Sequence, residues 1–111
     1  MKNSMEKIVL GAFETIILNG KKIKAKIDTG ADRSSICKSL INELGLKQSG
    51  KKIKITSAHG TTRRGIYKGE VIIKGKKLAV DFTVIDRSKL NARVLLGKDV
   101  LEKGFLVDVL K

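Results

Sequence analysis

Alternation of apolar and polar positions is the strongest signal along this chain. Over residues 22–27 it is strict: Ile23, Ala25 and Ile27 fall on one side, Lys22, Lys24 and Lys26 on the other. That spacing predicts a strand with one buried and one wet face. Residues 14–18 precede it, and Asn19-Gly20 between them suits the positive φ angles of a two-residue hairpin turn. Residues 52–55 alternate again, and residues 61–73 predict one long strand, bent or bulged at Lys68-Gly69. Lys74-Gly75 then turns the chain into a strand over 78–85, and residues 105–110 predict a closing strand. Helical spacing is confined to 39–44, stopped by Gly45, and 98–103, stopped by Gly104. The sum is an all-β domain with two short helices, a small barrel or sandwich rather than a βαβ array. Residues 18–23 and 73–78 echo one another, each a turn followed by a strand. The echo is either pseudo-symmetry or the chance recurrence of Gly-Lys-Lys in a lysine-rich chain.

Length and composition narrow the picture. The 111 residues suit a single domain spanning 1–111, too short for two cores. No apolar run approaches the roughly 18 residues of a membrane span, and the start lacks the apolar core of a secretion signal, so a cytoplasmic protein is expected. Cys37 is the only cysteine and His59 the only histidine, which leaves no internal disulfide and no protein-only zinc site; no metal and no cofactor are expected. Lys and Arg number 24 against 11 Asp and Glu, a net charge of +13. Such an excess fits a nucleic-acid partner, an acidic substrate, an acidic protein surface or a solvated lysine-rich face, and does not choose among them. Aromatic residues that stack bases are scarce, namely Phe13, Tyr67, Phe82 and Phe105, so nucleic acid is not the expected partner.

The chemistry concentrates at Asp28. Here an acidic residue ends a half-buried strand and is followed by a hydroxyl and a glycine. A carboxylate in that place must find donors or share a proton, while Gly30 permits a sharp turn or a close backbone approach. Asp-Thr-Gly alone is also an ordinary turn sequence. In context, Ile27-Asp28-Thr29-Gly30-Ala31-Asp32 with Ser34, Ser35 and Ile36 resembles the active-site signature of retropepsins, the single-domain aspartic peptidases. Leu95-Leu96-Gly97-Lys98-Asp99 resembles the second half of that signature. Thr56-Ser57-Ala58-His59-Gly60-Thr61 lies between them, where the family carries a β-hairpin flap. The run Lys24-Ala25-Lys26-Ile27-Asp28-Thr29-Gly30-Ala31 is also similar to the opening motif of a microbial retropepsin-like group named for ATP-dependent zinc proteases, which is associated with a ligase that adds glutamates to a ribosomal protein. Asp86-Arg87-Ser88, Val94-Leu95-Leu96-Gly97 and Gly104-Phe105-Leu106-Val107-Asp108 are similar to its closing half, whereas Asp32-Arg33 reads more like the viral enzymes. The zinc in that group's name finds no ligand set here.

The resemblance implies a small closed acid-protease barrel that works as a homodimer, with Asp28 of each subunit meeting its symmetry mate. Two such carboxylates share one proton, so that one serves as base toward a water and the other as acid toward the scissile carbonyl. By the same resemblance Thr29 hydrogen-bonds across the dimer axis and Gly30 presents its carbonyl to the substrate backbone. Ala31, Asp32, Ser57, Ala58, His59, Gly60 and Leu95 line the substrate, and Asp32 pairs with Lys98 to brace the loop. The implied activity is an aspartic endopeptidase, with acidic or glutamate-rich peptides as candidate substrates; Arg63-Arg64 beside the flap fit either the attraction of such side chains or plain exposed strand charge. The alternatives are a non-catalytic dimerisation or binding module on the same fold, and a basic ribosome- or RNA-binding domain. His59 also fits a solvated loop and Cys37 a small core or surface residue. Ser34 and Ser35 have no base tied to them by any motif, which discounts a serine nucleophile. Residues 8–10 and 105–110 are the apolar terminal segments expected to be shared between subunits.

Overall fold

A computed structural model describes residues 7–57, 60–85 and 92–111. Within them the order is β1 (Ile8–Leu10), β2 (Phe13–Leu18), β3 (Lys21–Ile27), β4 (Ser35–Cys37), α1 (Lys38–Leu44), β5 (Gln48–Ser57), β6 (Gly60–Ile73), β7 (Lys76–Ile85), β8 (Val94–Leu96), α2 (Lys98–Leu101) and β9 (Phe105–Val107). Strands dominate, as the alternation predicts. Among the described residues no helix is long and apolar enough to cross a membrane.

Six strands close a barrel in the order β2-β3-β8-β4-β7-β6, and β6 returns to β2 through Ile17 opposite Ile72 and Leu18 opposite Val71. Closure leaves no free edge within the six-stranded ring. Inside the ring lie Ile16, Leu18, Ala25, Val71, Phe82, Val94 and Leu96, all fully buried. Ile23, Ala25 and Ile27 face inward and Lys22, Lys24 and Lys26 outward, the division expected from their spacing. Among the described residues strand β5 pairs only with β6, and the two run out from the barrel as a hairpin arm in which Ser57 lies opposite Gly60.

The echo between residues 18–23 and 73–78 corresponds to a repeated topology. Both turns take positive φ at two successive residues, Asn19 (48°) and Gly20 (85°), then Lys74 (50°) and Gly75 (79°). Each turn joins an antiparallel hairpin, β2–β3 and β6–β7. The second strand of each hairpin takes a parallel neighbour from the opposite half, β8 against β3 and β4 against β7. Each of those neighbours leads into a short helix.

Three expectations are corrected. Lys68-Gly69 is not a bulge: β6 and β7 keep an unbroken register there, and the only shift on β6 is against β5, between Gln48 and Lys52. Gly69 instead makes room for the core, since a Cβ would lie 2.7 Å from Leu18 Cδ1 and 3.0 Å from Phe82 Cε2. The closing strand stops at Val107, because the Asp108 carboxylate accepts the Leu110 N–H at 3.0 Å and folds the chain into a turn. Helix α2 ends at Leu101, short of 103. The terminal segments pair with each other within one chain, β1 parallel to β9 with Ile8 opposite Phe105.

Candidate active site

Asp28 sits where β3 leaves the barrel wall. Its N–H donates to Leu96 O at 3.0 Å, so the parallel ladder between β3 and β8 runs one residue past Ile27. The chain then turns sharply: Gly30 N–H donates to Asp28 Oδ1 at 2.9 Å and Ala31 N–H to Asp28 O at 3.3 Å. Asp28 is half-buried, while Thr29 and Gly30 are exposed. Among the described residues the Gly30 N–H is the one donor to this carboxylate, and it binds Oδ1 rather than Oδ2.

The loop after Asp28 is fastened to the start of α2. Lys98 N–H donates to Ala31 O at 2.8 Å. Asp99 holds Ser34 twice, accepting its N–H on Oδ2 at 3.1 Å and its hydroxyl on Oδ1 at 2.7 Å. The fully buried Ser34 Oγ in turn accepts the Gly97 N–H at 3.0 Å, and Ser34 O accepts the Thr83 N–H at 3.1 Å. No buried side-chain polar atom is left without a partner among the described residues. Gly97 is essential to this approach, because a Cβ there would lie 2.7 Å from Ala31 O and 2.8 Å from Arg33 O.

Of the residues singled out in the sequence, Asp28, Thr29, Gly30, Ala31 and Asp32 form this one loop. Lys98 Nζ lies 3.6 Å from Asp32 Oδ1, but both side chains are largely exposed, which makes the pair a weak brace of at most about 1 kcal/mol. The backbone clamp of Ser34, Gly97 and Asp99 fastens the loop more firmly. Motif position had marked those residues; their mutual bonding is invisible in sequence because they lie more than sixty positions apart. Ser57 and Gly60 pair at the end of the hairpin arm. Ala58, His59 and the Asp86-Arg87-Ser88 run lie outside the described residues.

A second group shares the face of Asp28. In register around the barrel run Phe13, Lys26, Leu95, Ser35 and Thr83. Ser35 Oγ and Thr83 Oγ1 are hydrogen-bonded at 3.1 Å, so these opposed side chains meet on one surface. Thr83 lies opposite Ile66 on β6, the strand that continues into the hairpin arm. Of these, only Leu95 was expected from sequence to line the substrate; Lys26 was read as an outward strand lysine within the motif, and Ser35 as part of the signature and a discounted nucleophile. The signal for Lys26 was present, since alternation puts residues 26 and 28 of an extended strand on the same side.

Beside Thr29 an open recess of about 440 Å³ is lined by Lys98, Leu101, Phe105, Leu106 and Val107 among others. Leu106 is 53% exposed and Leu110 92%.

Comparison with known proteins bears on the family and the fold. The profile of the family described as "gag-polyprotein putative aspartyl protease" matches residues 15–103. No curated protein matches the chain. Among solved structures, a Legionella pneumophila protein of unknown function superposes with a TM-score of 0.70 at 16% identity, over 94% of this chain and 95% of that one. The simian foamy virus protease gives 0.64 at 17% identity, over 81% and 91%. The EIAV protease, solved with the inhibitor HBY-793, gives 0.61 at 22% identity, over 92% and 91%. These similarities establish a retroviral-protease-like fold.

Proposed function

This chain belongs to the gag-polyprotein aspartyl protease family, and on that premise we propose that it is an aspartic endopeptidase built from two copies, each contributing Asp28. The observation that carries the reading is the Asp28 turn itself: a half-buried carboxylate at a strand end, steadied on Oδ1 by the Gly30 N–H. Each chain offers one such group, and the reaction needs two.

In the assembled site one Asp28 carboxylate removes a proton from water, whose oxygen bonds to the carbonyl carbon of the scissile amide. The mate's carboxyl proton passes to the carbonyl oxygen. The tetrahedral intermediate then collapses: the C–N bond breaks, the nitrogen takes up a proton, and a carboxylic acid and an amine leave. The substrate lies as an extended strand beneath the hairpin arms, which supply backbone partners. The recess beside Thr29 with its exposed Leu106 supports the docking of the second copy, since uncovered apolar surface next to a catalytic loop favours a partner of the same chemistry. The net charge of +13 supports an acidic substrate. The run at residues 24–31 supports kinship with the microbial retropepsin-like group.

A peptidase assay across pH 3–8 on mixed and glutamate-rich peptides, paired with sedimentation, tests the proposal. Cleavage that disappears in Asp28→Asn while the dimer persists is the expected result. Removing residues 109–111 should shift sedimentation toward monomer. Equal activity in Asp28→Asn refutes the mechanism, and dimers that cleave nothing favour the binding module.

A further inference from the structure

Given that reading of Asp28 as the catalytic carboxylate, we infer that Lys26 selects acidic side chains flanking the scissile bond. The hydrogen bond from Asp28 N–H to Leu96 O extends the β3 ladder through residue 28. Lys26 and Asp28 therefore share one face of the same strand, two residues and about 7 Å apart. Ile23, Ala25 and Ile27 point the other way, into the core. A substrate strand crossing Asp28 places the side chains next to its scissile bond against this stretch of wall. There it meets Lys26, with Leu95 in register on one side and Phe13 on the other.

Lys26 is available for that contact. Several other cations are engaged: Lys24 Nζ stands 4.5 Å from the centre of the Phe13 ring, Glu43 holds both Lys21 and Arg93, and Glu14 holds Lys74. Among the described residues no carboxylate pairs with Lys26, which is exposed. No competing acid comes from the hairpin arm either, because residues 44–69 contain seven Lys and Arg and no Asp or Glu. A lysine on such a wall lays its methylenes on apolar surface and presents the ammonium to the bound chain. The side chain that satisfies it is a carboxylate. In a two-fold assembly both copies of Lys26 act, one on each side of the scissile bond.

The test compares two peptides that differ only in carrying Glu or Gln next to the scissile bond, together with reduced-amide versions that bind without being cut. The wild-type protein should favour Glu about fivefold in kcat/KM and in the Kd of the reduced-amide form, the upper range for an exposed ion pair. That ratio should shrink in high salt. In Lys26→Glu it should fall below one, and in Lys26→Leu it should approach one with a gain for a Leu-flanked peptide. Lys26 is solvent-facing, so neither variant disturbs the core. A Glu-to-Gln ratio that ignores Lys26→Glu overturns the assignment even where cleavage is robust, as does failure of either reduced-amide peptide to bind. Lys26-dependent binding without cleavage sustains the acid selectivity while removing the peptidase reading.

Discussion

Replacing Gly97 by alanine adds one methyl group where the backbone leaves no space. Its Cβ would lie 2.7 Å from Ala31 O, 2.8 Å from Arg33 O and 2.9 Å from Arg33 C. All three are backbone atoms of the loop that follows Asp28, so no side-chain rotation relieves the contact. Gly97 itself has φ −103° and ψ −167°, extended backbone that alanine adopts freely. The cost is therefore steric, and the stiffer unfolded chain even returns about 0.4–1 kcal/mol. Against this stand overpacking of about 1–3 kcal/mol and the weakening of two hydrogen bonds at about 1 kcal/mol each. Those bonds are Lys98 N–H to Ala31 O and Gly97 N–H to Ser34 Oγ. The expected net loss is about 2–4 kcal/mol, or roughly 8–16 °C in Tm for a domain of this size. Urea denaturation with an unchanged m value measures it. Gly65→Ala is the control: its Cβ would meet only the Gln48 side chain, which is exposed and can swing away. A Gly97→Ala protein within about 0.5 kcal/mol of wild type, or no worse than Gly65→Ala, refutes the claim that this contact fixes the loop after Asp28.

Other consequences follow from the same clamp and from the one perturbed carboxyl. Asp99→Ala removes acceptors from Ser34 N–H, Ser34 Oγ and Val100 N–H and should cost about 2–3 kcal/mol. Asp99→Asn should cost less, because its carbonyl can keep the hydroxyl and Val100 bonds while only its amide opposes the Ser34 N–H. Equal losses in the two variants would show that charge rather than hydrogen bonding holds the loop. Ser34→Ala strands the buried Gly97 N–H, and a double-mutant cycle with Asp99→Ala should show strong coupling; additive losses would refute a shared network. The hydrogen bond from Arg93 holds the Glu43 carboxyl below its ordinary range, outweighing a slight burial effect and assisted by the charges of Arg93 and Lys21. A depressed carboxylate stabilises the fold above its unfolded pKa, and that contribution fades as pH falls through the lower folded value. Carboxyl titration by NMR should therefore give a higher midpoint for Glu43 in Arg93→Gln, and no difference would refute the pairing.

What the sequence disclosed and what it hid divide along a physical line. Period-two alternation is local, so β3 and the hairpins around Asn19-Gly20 and Lys74-Gly75 were readable from residue types alone. Strands β4 and β8 were not, because three residues are too few to establish a period; they form because parallel neighbours β7 and β3 accept them. Gly69 misled for a similar reason. A glycine within a strand commonly marks a bulge, and only the packing of Leu18 and Phe82 against it reveals the other use. The closing strand was cut short by a side chain, Asp108, competing for backbone donors. At the site, the motif residues could be named from their order, but the bonds from Ser34 to Asp99 and Gly97 depend on long-range closure.

The internal symmetry of the barrel bears directly on why, under the proposed mechanism, one chain supplies half a site. Each half supplies a hairpin, a strand parallel to the other half's hairpin, and a short helix. Counted from the two turn glycines, Gly20 and Gly75, the position equivalent to Asp28 is Thr83. Thr83 is buried, and its hydroxyl is spent on Ser35 and on Ser34 O. The second half thus repeats the scaffold while committing the equivalent position to the clamp that steadies the first. No rearrangement inside the barrel brings a second carboxylate opposite Asp28 from that position. If Asp28 acts as proposed, its water-activating partner must come from another copy, and the monomer should be inert whatever its stability. Activity that rises with the square of protein concentration below the dimer Kd is the expected signature, and strictly linear dependence through dissociation would overturn the half-site argument.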